Sequence, residues 1–482
     1  MPLIIPANTL TGGYEVANSC RFNSDAYMVK DVVSPTSARK YTISVWVKRS
    51  ILSSRQRIFT VIDTSDTAAY SYCEFQADDS LNFDDFDGSS TRLTRTTNRV
   101  FRDPSAWMHL CIAVDTTIAD GSAVNRVKMY INGTQETSFA TTTNASQNFD
   151  TTTLDANKTF RIGEHGTAGF RFGGYMSEFV LIDGTTYAAS DFGEFDEDSP
   201  TIWKPKDVSG LTFGNNGFYC DFESSGNLGN DANGGTDLTE TSLAATDQAT
   251  DTPTNNFCTM NPLLFRSTSG TKYSPTFSEG NTYVFSTRDA TYDITGGTFM
   301  VSSGKWYFEW KNAGVGDTSA DFSNGVGVKP ADGRWDGTQS YMGTNRCYCA
   351  NGNKADSAVD TGDSYGNQWD TNDILGCYLD LDNSKIYFAL NGTMQNSADV
   401  SAGTGFAFDD LDDHDSWVVF NAMADFGVGS QSGNYFNFGN PAYTISSSNS
   451  DANGYGSFEY NPTEDGVNFY ALCTKNLAEF GG

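Results

Sequence analysis

The sequence contains no long apolar run. No stretch of about 18 consecutive apolar residues, the minimum for a membrane-spanning helix, occurs in its 482 residues. The first residues, MPLIIPANTLTGG, also lack the basic segment and the long apolar core of a secretory signal. These absences predict a protein that is made in a cytoplasm without a signal peptide and that does not insert into a membrane.

Positively charged residues are scarce. The chain has 30 Lys and Arg residues against 60 Asp and Glu residues, which gives a formal net charge of −30 at pH 7. A surface this acidic repels the phosphate backbone of nucleic acids and also repels anionic membranes. We therefore expect no nucleic-acid partner, and we interpret the acidic residues chiefly as a solvated surface.

Residues for metal or nucleophilic chemistry are also few. The 9 cysteines are scattered through apolar runs without a C-x-x-C motif, which favours buried free thiols over structural zinc. The nearest pair is Cys347 and Cys349. The 3 histidines, His109, His165 and His414, are not accompanied by a G-x-S-x-G motif. A nucleophilic triad is therefore not predicted.

Aromatic and turn-forming residues are abundant, and they favour an all-β protein. The chain has 34 Phe, 23 Tyr and 47 Gly residues, and no long window shows apolar residues with helical spacing. Residues 40–49, KYTISVWVKR, alternate between two faces as a strand does, and residues 126–139 predict a hairpin that turns at Asn132-Gly133. A second series of strands includes residues 305–311.

These patterns predict an all-β fold of two antiparallel β-sandwiches, or jelly rolls, joined by a long extended connection. The predicted segments are an N-terminal arm at residues 1–15, a first sandwich at 16–205, an extended linker at 206–265 and a second sandwich at 266–482. The linker is assigned from its content of Gly, Asn, Thr and Asp.

Residues 376–393, GCYLDLDNSKIYFALNGT, allow two interpretations. Asp380 and Asp382 stand at alternate positions, as ligands do at the start of many calcium loops. Regular alternation before and after the Asp-Asn-Ser sequence instead predicts two strands joined by a turn, with Asp380 facing away from the core. We favour the hairpin, because a calcium loop would be irregular where this stretch is regular.

Several motifs, taken in order, resemble known β-sandwich families. WMHLCIAVD (107–115), VKMYINGT (127–134) and the stretch 160–183 resemble the laminin-G-like, concanavalin-A-like jelly rolls. SGKWYFEW (303–310) and the stretch 373–392 resemble SPRY domains. The ordered set implies one sandwich of each type.

A second resemblance covers nearly the whole chain. The phrases MPLIIPANTL, VFRDPSAWMHL and FYALCTKNL are similar to phrases in structural proteins of tailed bacteriophages, usually tail fibres or lectin-domain virion proteins. The resemblance implies a location on the virion surface, at the tail or the capsid exterior. It also implies other virion proteins as partners and a homotrimeric assembly.

A long polar region of the second sandwich is the predicted ligand site. Aromatic rings stack on sugars, while carboxamides and carboxylates bind sugar hydroxyl groups. The predicted ligand-binding residues are Trp335, Tyr341, Tyr348, Tyr365 and Trp369. The alternative is that such rings anchor the loops on the core.

Acidic clusters are the candidates for binding calcium, the one cofactor that the sequence suggests. Hard cations need several oxygen ligands at once, and the laminin-G-like resemblance implies calcium at a loop end. The candidates are Asp84, Asp85, Asp87, Asp409, Asp410, Asp412 and Asp413. No cluster has the full EF-hand spacing, so solvated acidic loops are the alternative and no firm metal site is predicted.

The stretch EFDED, residues 194–198, invites a catalytic interpretation. Some glucanases of the same jelly-roll class carry an E-x-D-x-E strand whose two carboxylates act on either side of the scissile bond. Here Asp198 replaces the last glutamate and Pro200 follows closely, so a loop is favoured over a catalytic strand.

The predicted function is that of a non-enzymatic phage virion protein that binds a host-surface or environmental ligand. The expected ligand is a glycan, and the expected role is that of a tail-fibre or receptor-binding adhesin. One alternative is a capsid decoration, cement or head-fibre protein, which the absence of a coiled-coil or β-helical stalk favours. A third interpretation is a polysaccharide depolymerase.

Overall fold

The computed structural model describes residues 13–23, 25–63, 69–166, 169–267, 275–286, 293–314, 324–332, 344–356, 362–423 and 432–481. The chain divides into two compact units, an N-terminal unit, Leu10–Thr254, and a C-terminal unit that includes Asn255–Gly482. Within the described residues there is one α-helix, Thr474–Phe480, and no helix there is long and apolar enough to cross a membrane. The predicted N-terminal arm, residues 1–15, lies mostly outside the described residues.

Eighteen strands of the N-terminal unit lie within the described residues. They are β1 (Ser19–Phe22), β2 (Tyr27–Asp31), β3 (Lys40–Arg49), β4 (Gln56–Ile62), β5 (Tyr70–Phe75), β6 (Ser80–Phe86), β7 (Thr91–Val100), β8 (Met108–Asp115), β9 (Val127–Ile131), β10 (Thr134–Gln135), β11 (Phe139–Thr143), β12 (Thr159–Ile162), β13 (Gly174–Asp183), β14 (Gly193–Phe195), β15 (Trp203–Pro205), β16 (Phe218–Cys220), β17 (Thr239–Thr241) and β18 (Gln248–Ala249). Short 3₁₀ helices are Asp120–Arg126, Thr152–Leu154, Ala189–Asp191 and Ala245–Asp247.

These strands form two large antiparallel sheets and one hairpin. The first sheet has the order β10-β9-β8-β3-β13-β1-β18, with β16 also beside β13. The second has the order β11-β7-β6-β5-β4-β12-β2-β17, and β14 pairs with β15. The strand over residues 40–49 and the hairpin that turns at Asn132-Gly133 are formed as the sequence predicts.

One core lies between the two sheets. Ile43 of β3 and Leu110 of β8 enter it from the first sheet, and Phe59 of β4 and Phe83 of β6 enter it from the second. Each such side chain contributes about 1.5–3 kcal/mol when it is fully buried. The alternation of side chains along each strand therefore produces the predicted sandwich.

The outer face of the first sheet is also buried, because a later part of the chain covers it. Trp46 and Tyr175 on this face pack with Phe192, Trp203 and Phe213. This second apolar layer explains why β3 is buried on both of its faces.

The structure differs from the predicted extended linker at residues 206–265. β16 pairs with β13, and β18 pairs with β1. The chain up to Thr254 therefore belongs to the N-terminal unit, and Asn255 and the residues after it belong to the C-terminal unit. The predicted domain boundary at residue 205 is therefore wrong. Short strands in a polar sequence have the composition of an extended connection, which explains the difference.

Seventeen strands of the C-terminal unit lie within the described residues. They are β19 (Met260–Ser267), β20 (Thr276–Ser278), β21 (Tyr283–Ser286), β22 (Asp293–Val301), β23 (Lys305–Asn312), β24 (Asn324–Pro330), β25 (Arg346–Cys349), β26 (Asn353–Ala355), β27 (Asp363–Ser364), β28 (Ile374–Asp380), β29 (Lys385–Leu390), β30 (Thr393–Met394), β31 (Trp417–Met423), β32 (Ser432–Asn437), β33 (Thr463–Glu464), β34 (Val467–Asn468) and β35 (Tyr470–Ala471). Short 3₁₀ helices are Glu279–Asn281, Leu381–Asn383, Gln395–Ser397 and Leu411–Asp413.

The C-terminal unit is a second sandwich. One sheet has the order β19-β22-β31-β24-β25-β26-β27, and the other has the order β20-β21-β32-β23-β28-β29-β30, with β35 parallel to β23. Trp306 and Trp310 of β23 pack in a core with Leu375 of β28, Val326 of β24 and Val419 of β31. The predicted all-β fold of two antiparallel sandwiches is confirmed.

The stretch 376–393 forms the predicted hairpin. β28 and β29 pair with Asp380 opposite Lys385. The carboxylate of Asp380 accepts a hydrogen bond from the backbone N–H of Asn383 at 3.1 Å and pairs with the ammonium group of Lys305. The acidic turn is thus held by its own backbone and by a lysine.

Candidate functional site

Three of the five predicted ligand-binding residues are not at an exposed surface. Tyr348, Tyr365 and Trp369 are buried in the core of the C-terminal unit. Tyr348 and Tyr365 meet edge to face at 5.3 Å, and Trp369 packs against Trp310 at 4.6 Å between ring centroids. These three rings form part of the core and offer no face to a sugar, so their prediction as stacking residues is wrong. Trp335 and Tyr341 lie outside the described residues and stay predictions.

An arginine engages the second acidic cluster. The guanidinium group of Arg346 donates to Asp410 at 2.6 Å and to Asp413 at 2.8 Å. Asp409 and Asp412 are exposed. A cation placed here would face the positive guanidinium group, so these carboxylates form an ion-pair cluster and not the arrangement of a calcium site.

The first acidic cluster is spread over two faces of a strand. Asp84 accepts a hydrogen bond from the hydroxyl group of Thr94. Asp85 points to the opposite face, where burial raises its pKa to about 7. Asp87 accepts hydrogen bonds within its own turn. In the part of the chain that the structure describes, no group of three His, Cys, Asp or Glu side chains could hold a metal ion.

The stretch 194–198 forms a hairpin turn. β14 ends at Phe195 and pairs with β15. Asp196 is buried, accepts a hydrogen bond from the backbone N–H of Asp198 at 3.1 Å, and lies 3.4 Å from the ammonium group of Lys204. The central carboxylate thus stabilises the turn, and this agrees with the loop that the sequence favours.

A cavity of about 460 Å³ opens next to this turn. Its walls come from the end of β3, the chain around the end of β7, the start of β8, the β9–β10 turn and the β14–β15 hairpin. The lining includes Arg49, Arg99, Val100, Arg102, Asp103, Trp107, Asn132 and Phe195. The volume falls within the range of about 300–1,000 Å³ that is typical of small-molecule sites.

Phe195 presents an aromatic ring to this cavity. Its side chain is 44% exposed, and its ring meets Trp203 edge to face at 4.9 Å. The Nε1–H group of Trp203 donates to Nδ1 of His109 at 3.1 Å, so Nε2 of this histidine carries the proton and donates to Oγ of Ser44 at 2.8 Å. Burial lowers the pKa of His109 to about 3, which keeps it neutral. This buried chain of hydrogen bonds fixes the exposed ring in place.

Charged and polar groups complete the lining. Arg49 and Arg102 both contact the carboxylate of Asp79, at 3.2 Å and 2.9 Å. Oδ1 of Asn132 accepts a hydrogen bond from the backbone N–H of His109 at 2.7 Å, which holds the β9–β10 turn beside β8. The cavity therefore combines an aromatic face with guanidinium and carboxamide donors.

The sequence alone does not reveal this cavity. Its residues come from five segments, and no single segment has an unusual composition. Two signals were present: the turn at Asn132-Gly133, and a phenylalanine inside the stretch 194–198. Asn132-Gly133 indicates a turn and nothing more, and the carboxylates of residues 194–198 are a stronger signal than Phe195.

Gly133→Ala is expected to lower the free energy of unfolding of the N-terminal unit by about 2–3 kcal/mol, because strain and overpacking both arise. Gly133 has a left-handed φ of 73°, and an added Cβ would lie 2.2 Å from the ring of Trp203. Gly210→Ala is the control, because no atom lies within 4 Å of its added Cβ. Thermal unfolding of both variants checks the prediction, and equal melting temperatures would contradict it.

Several solved structures are similar to this chain at low sequence identity. The SPRY domain of human HERC1 is 15% identical, with a TM-score of 0.28, over 37% of this chain and 96% of that one. A putative carbohydrate binding protein from Bacteroides ovatus is 13% identical, with a TM-score of 0.33, over 48% and 60%. Domains LG4-5 of the mouse laminin alpha1 chain are 9% identical, with a TM-score of 0.30, over 90% of both chains.

Two family models match separate parts of the chain. The model described as "Concanavalin A-like lectin/glucanases superfamily" matches residues 22–189, within the N-terminal unit. The SPRY domain model matches residues 305–440, within the C-terminal unit. Both matches confirm the domain types that the sequence motifs resemble. The chain therefore carries a concanavalin A-like domain of the laminin-G type followed by a SPRY domain.

Proposed function

We propose that this protein is a non-enzymatic virion-surface protein that binds a glycan through the cavity beside Phe195. The observation that carries the proposal is a preformed cavity with a fixed, exposed aromatic ring next to guanidinium and carboxamide groups. Sugars stack their apolar faces on such rings, and their hydroxyl groups bind to such donors. The concanavalin A-like family includes lectins by its own description, which supports the same ligand class.

The virion location, virion protein partners and a homotrimer are parts of the same proposal, and the whole-chain resemblance to tailed-phage proteins supports them. A single small cavity gives weak binding to a sugar. Display of several copies on one particle would raise the avidity without any new contact. An adhesin on the virion surface would use the protein in this way.

Phe195→Ala is expected to weaken glycan binding about tenfold, because an aromatic contact of this kind contributes about 1–1.5 kcal/mol. Phe170→Ala is the matched control: Phe170 is 39% exposed and belongs to the same unit, but it does not line the cavity. A glycan array with the full chain identifies a ligand, and titration calorimetry then measures its affinity for both variants. If neither glycans nor host-surface extracts bind the unmodified protein, the proposal is wrong.

Two further experiments separate the other functions that the sequence suggests. Immunogold labelling of intact particles distinguishes a tail adhesin from a capsid decoration or head-fibre protein, because the copy number and the position differ. Release of reducing sugars from host polysaccharide would identify a depolymerase. The structural use of Asp196 in a turn supports the non-enzymatic assignment.

A further inference from the structure

The lining of the cavity differs in charge from the rest of the chain. The whole protein has a formal net charge of −30. The cavity is lined by three arginines, Arg49, Arg99 and Arg102, and by one carboxylate, Asp103. A cleft whose walls carry mainly one sign of charge attracts ligands of the opposite sign.

Hydrogen bonds and ion pairs within the protein hold the guanidinium groups of two of these arginines. Arg49 is buried and donates to the backbone carbonyl groups of Phe101 and Ile51 in addition to its pair with Asp79. Arg102 shares the same carboxylate through its Nε atom, but its side chain is 58% exposed. Arg49 therefore supports the wall, and Arg102 keeps part of its guanidinium group at the surface.

Arg99 forms no such ion pair within the described residues. Its side chain is exposed, and within the described residues no carboxylate lies within 4.0 Å of its guanidinium group, which is 5.8 Å from the ring of Phe101. The lining carboxylate of Asp103 is engaged by Ser105, whose backbone N–H and hydroxyl groups donate to it at 2.8 Å and 2.5 Å. A guanidinium group in this position can bind a carboxylate or a sulfate through two parallel hydrogen bonds.

We infer that the saccharide bound by the cavity is acidic, with its carboxylate or sulfate group on Arg99 and Arg102 and its ring on Phe195. This inference rests on the proposed function. The aromatic ring alone would accept neutral and acidic sugars equally, whereas the arginines favour the acidic ones.

The test compares three probes on the full chain by titration calorimetry. They are a uronic-acid oligosaccharide, its carboxyl-reduced form and a sulfated oligosaccharide of equal length. At least one acidic probe is expected to bind about tenfold more tightly than the reduced form, and this preference should fall with rising salt concentration. Which acidic probe binds better identifies the anionic group.

Arg99→Gln is expected to lower the ratio of the affinities for the acidic and the reduced forms, because one of the two guanidinium groups that bind the anion is lost. Arg39→Gln is the matched control, because Arg39 is an exposed arginine that pairs with Asp150 and does not line the cavity. Phe195→Ala should weaken binding of the acidic and the reduced forms to the same degree.

The outcomes distinguish the preference for an acidic saccharide from the proposed glycan binding on which it rests. Equal binding of acidic and reduced forms, with both weakened by Phe195→Ala, would overturn the inference and leave glycan binding intact. The same loss in Arg99→Gln and Arg39→Gln would indicate unspecific charge attraction and would also overturn it. Duplex DNA binding that depends on Arg99 would identify a general polyanion site instead. Failure of every saccharide to bind would overturn both.

Discussion

Lys48→Met is expected to lower the free energy of unfolding of the N-terminal unit by about 3–5 kcal/mol, because it leaves one charge of a buried ion pair uncompensated. The ammonium group of Lys48 and the carboxylate of Asp251 lie 2.6 Å apart, and both side chains are fully buried. The same carboxylate accepts a hydrogen bond from Nε1 of Trp107 at 2.8 Å. With methionine at position 48, a negative charge would remain in the interior without its ammonium partner, beside the neutral indole N–H group of Trp107.

A double variant tests this explanation. Lys48→Met with Asp251→Asn removes both charges and keeps an acceptor for Trp107, so most of the lost stability should return. Arg39→Met, which breaks the exposed pair with Asp150, should show no measurable change. Hydrogen exchange of peptides from β3 and β13 in the full chain reports the opening of the N-terminal unit alone. Unchanged exchange protection in Lys48→Met would contradict the prediction.

The position of Asp251 shows why the domain boundary could not be predicted. It lies in a stretch rich in Gly, Asn, Thr and Asp that has the composition of a linker. A strand can be predicted at residues 217–223, where β16 forms, but the strands of this stretch are two or three residues long, which is too short for alternation to show which sheet they join. Their partners, β13 and β1, are far away in sequence, and no local pattern encodes such pairings.

Local patterns did predict the elements whose cause is local. Residues 40–49 form β3 with the same bounds, because clear alternation over ten residues is typical of a β-strand. The turns at Asn132-Gly133 and after Asp380 were predicted because Asn, Gly and Asp favour these backbone conformations. The predicted sandwich in each half follows from many such strands.

The candidate site could not be predicted in the same way. Tyr348 and Trp369 lie in a polar stretch, yet their rings fill the core of the C-terminal unit, and a ring has the same propensity whether it faces inward or outward. Phe195 is exposed and its ring contacts that of Trp203, and Arg99 lines the same cavity from a different strand. Such a combination of distant segments requires the fold.

The pH dependence of stability is the second large effect that the structure predicts, and it centres on a buried glutamate of the N-terminal unit. Glu178 lies at an irregularity of β13, has a left-handed φ of 50° and is 5% exposed. The hydroxyl group of Tyr219 donates to its carboxylate at 2.7 Å. Burial raises the pKa of Glu178 to about 8, and the nearby negative charges of Asp221 and Glu223 also raise it.

An unfolded glutamate has a pKa near its ordinary value of 4.5. Between pH 4.5 and pH 8 the folded chain therefore holds a proton that the unfolded chain has released. The free energy of unfolding falls as the pH rises through this window, by about 1.4 kcal/mol per pH unit and by about 3–5 kcal/mol in total. Below this window both states are protonated and the penalty is absent.

Glu178→Gln is expected to remove this loss, because the carboxamide stays neutral and its oxygen still accepts a hydrogen bond from Tyr219. The variant should become more stable than the unmodified protein at about pH 9 and gain nothing at about pH 5. Other buried carboxylates, such as Asp85, titrate in the same direction in both proteins, so only the difference between the two pH profiles is informative. Glu197→Gln, at an exposed position, serves as the control, and melting temperatures across the pH range provide the measurement. Parallel profiles for Glu178→Gln and the unmodified protein would mean that Glu178 is not protonated in the folded state.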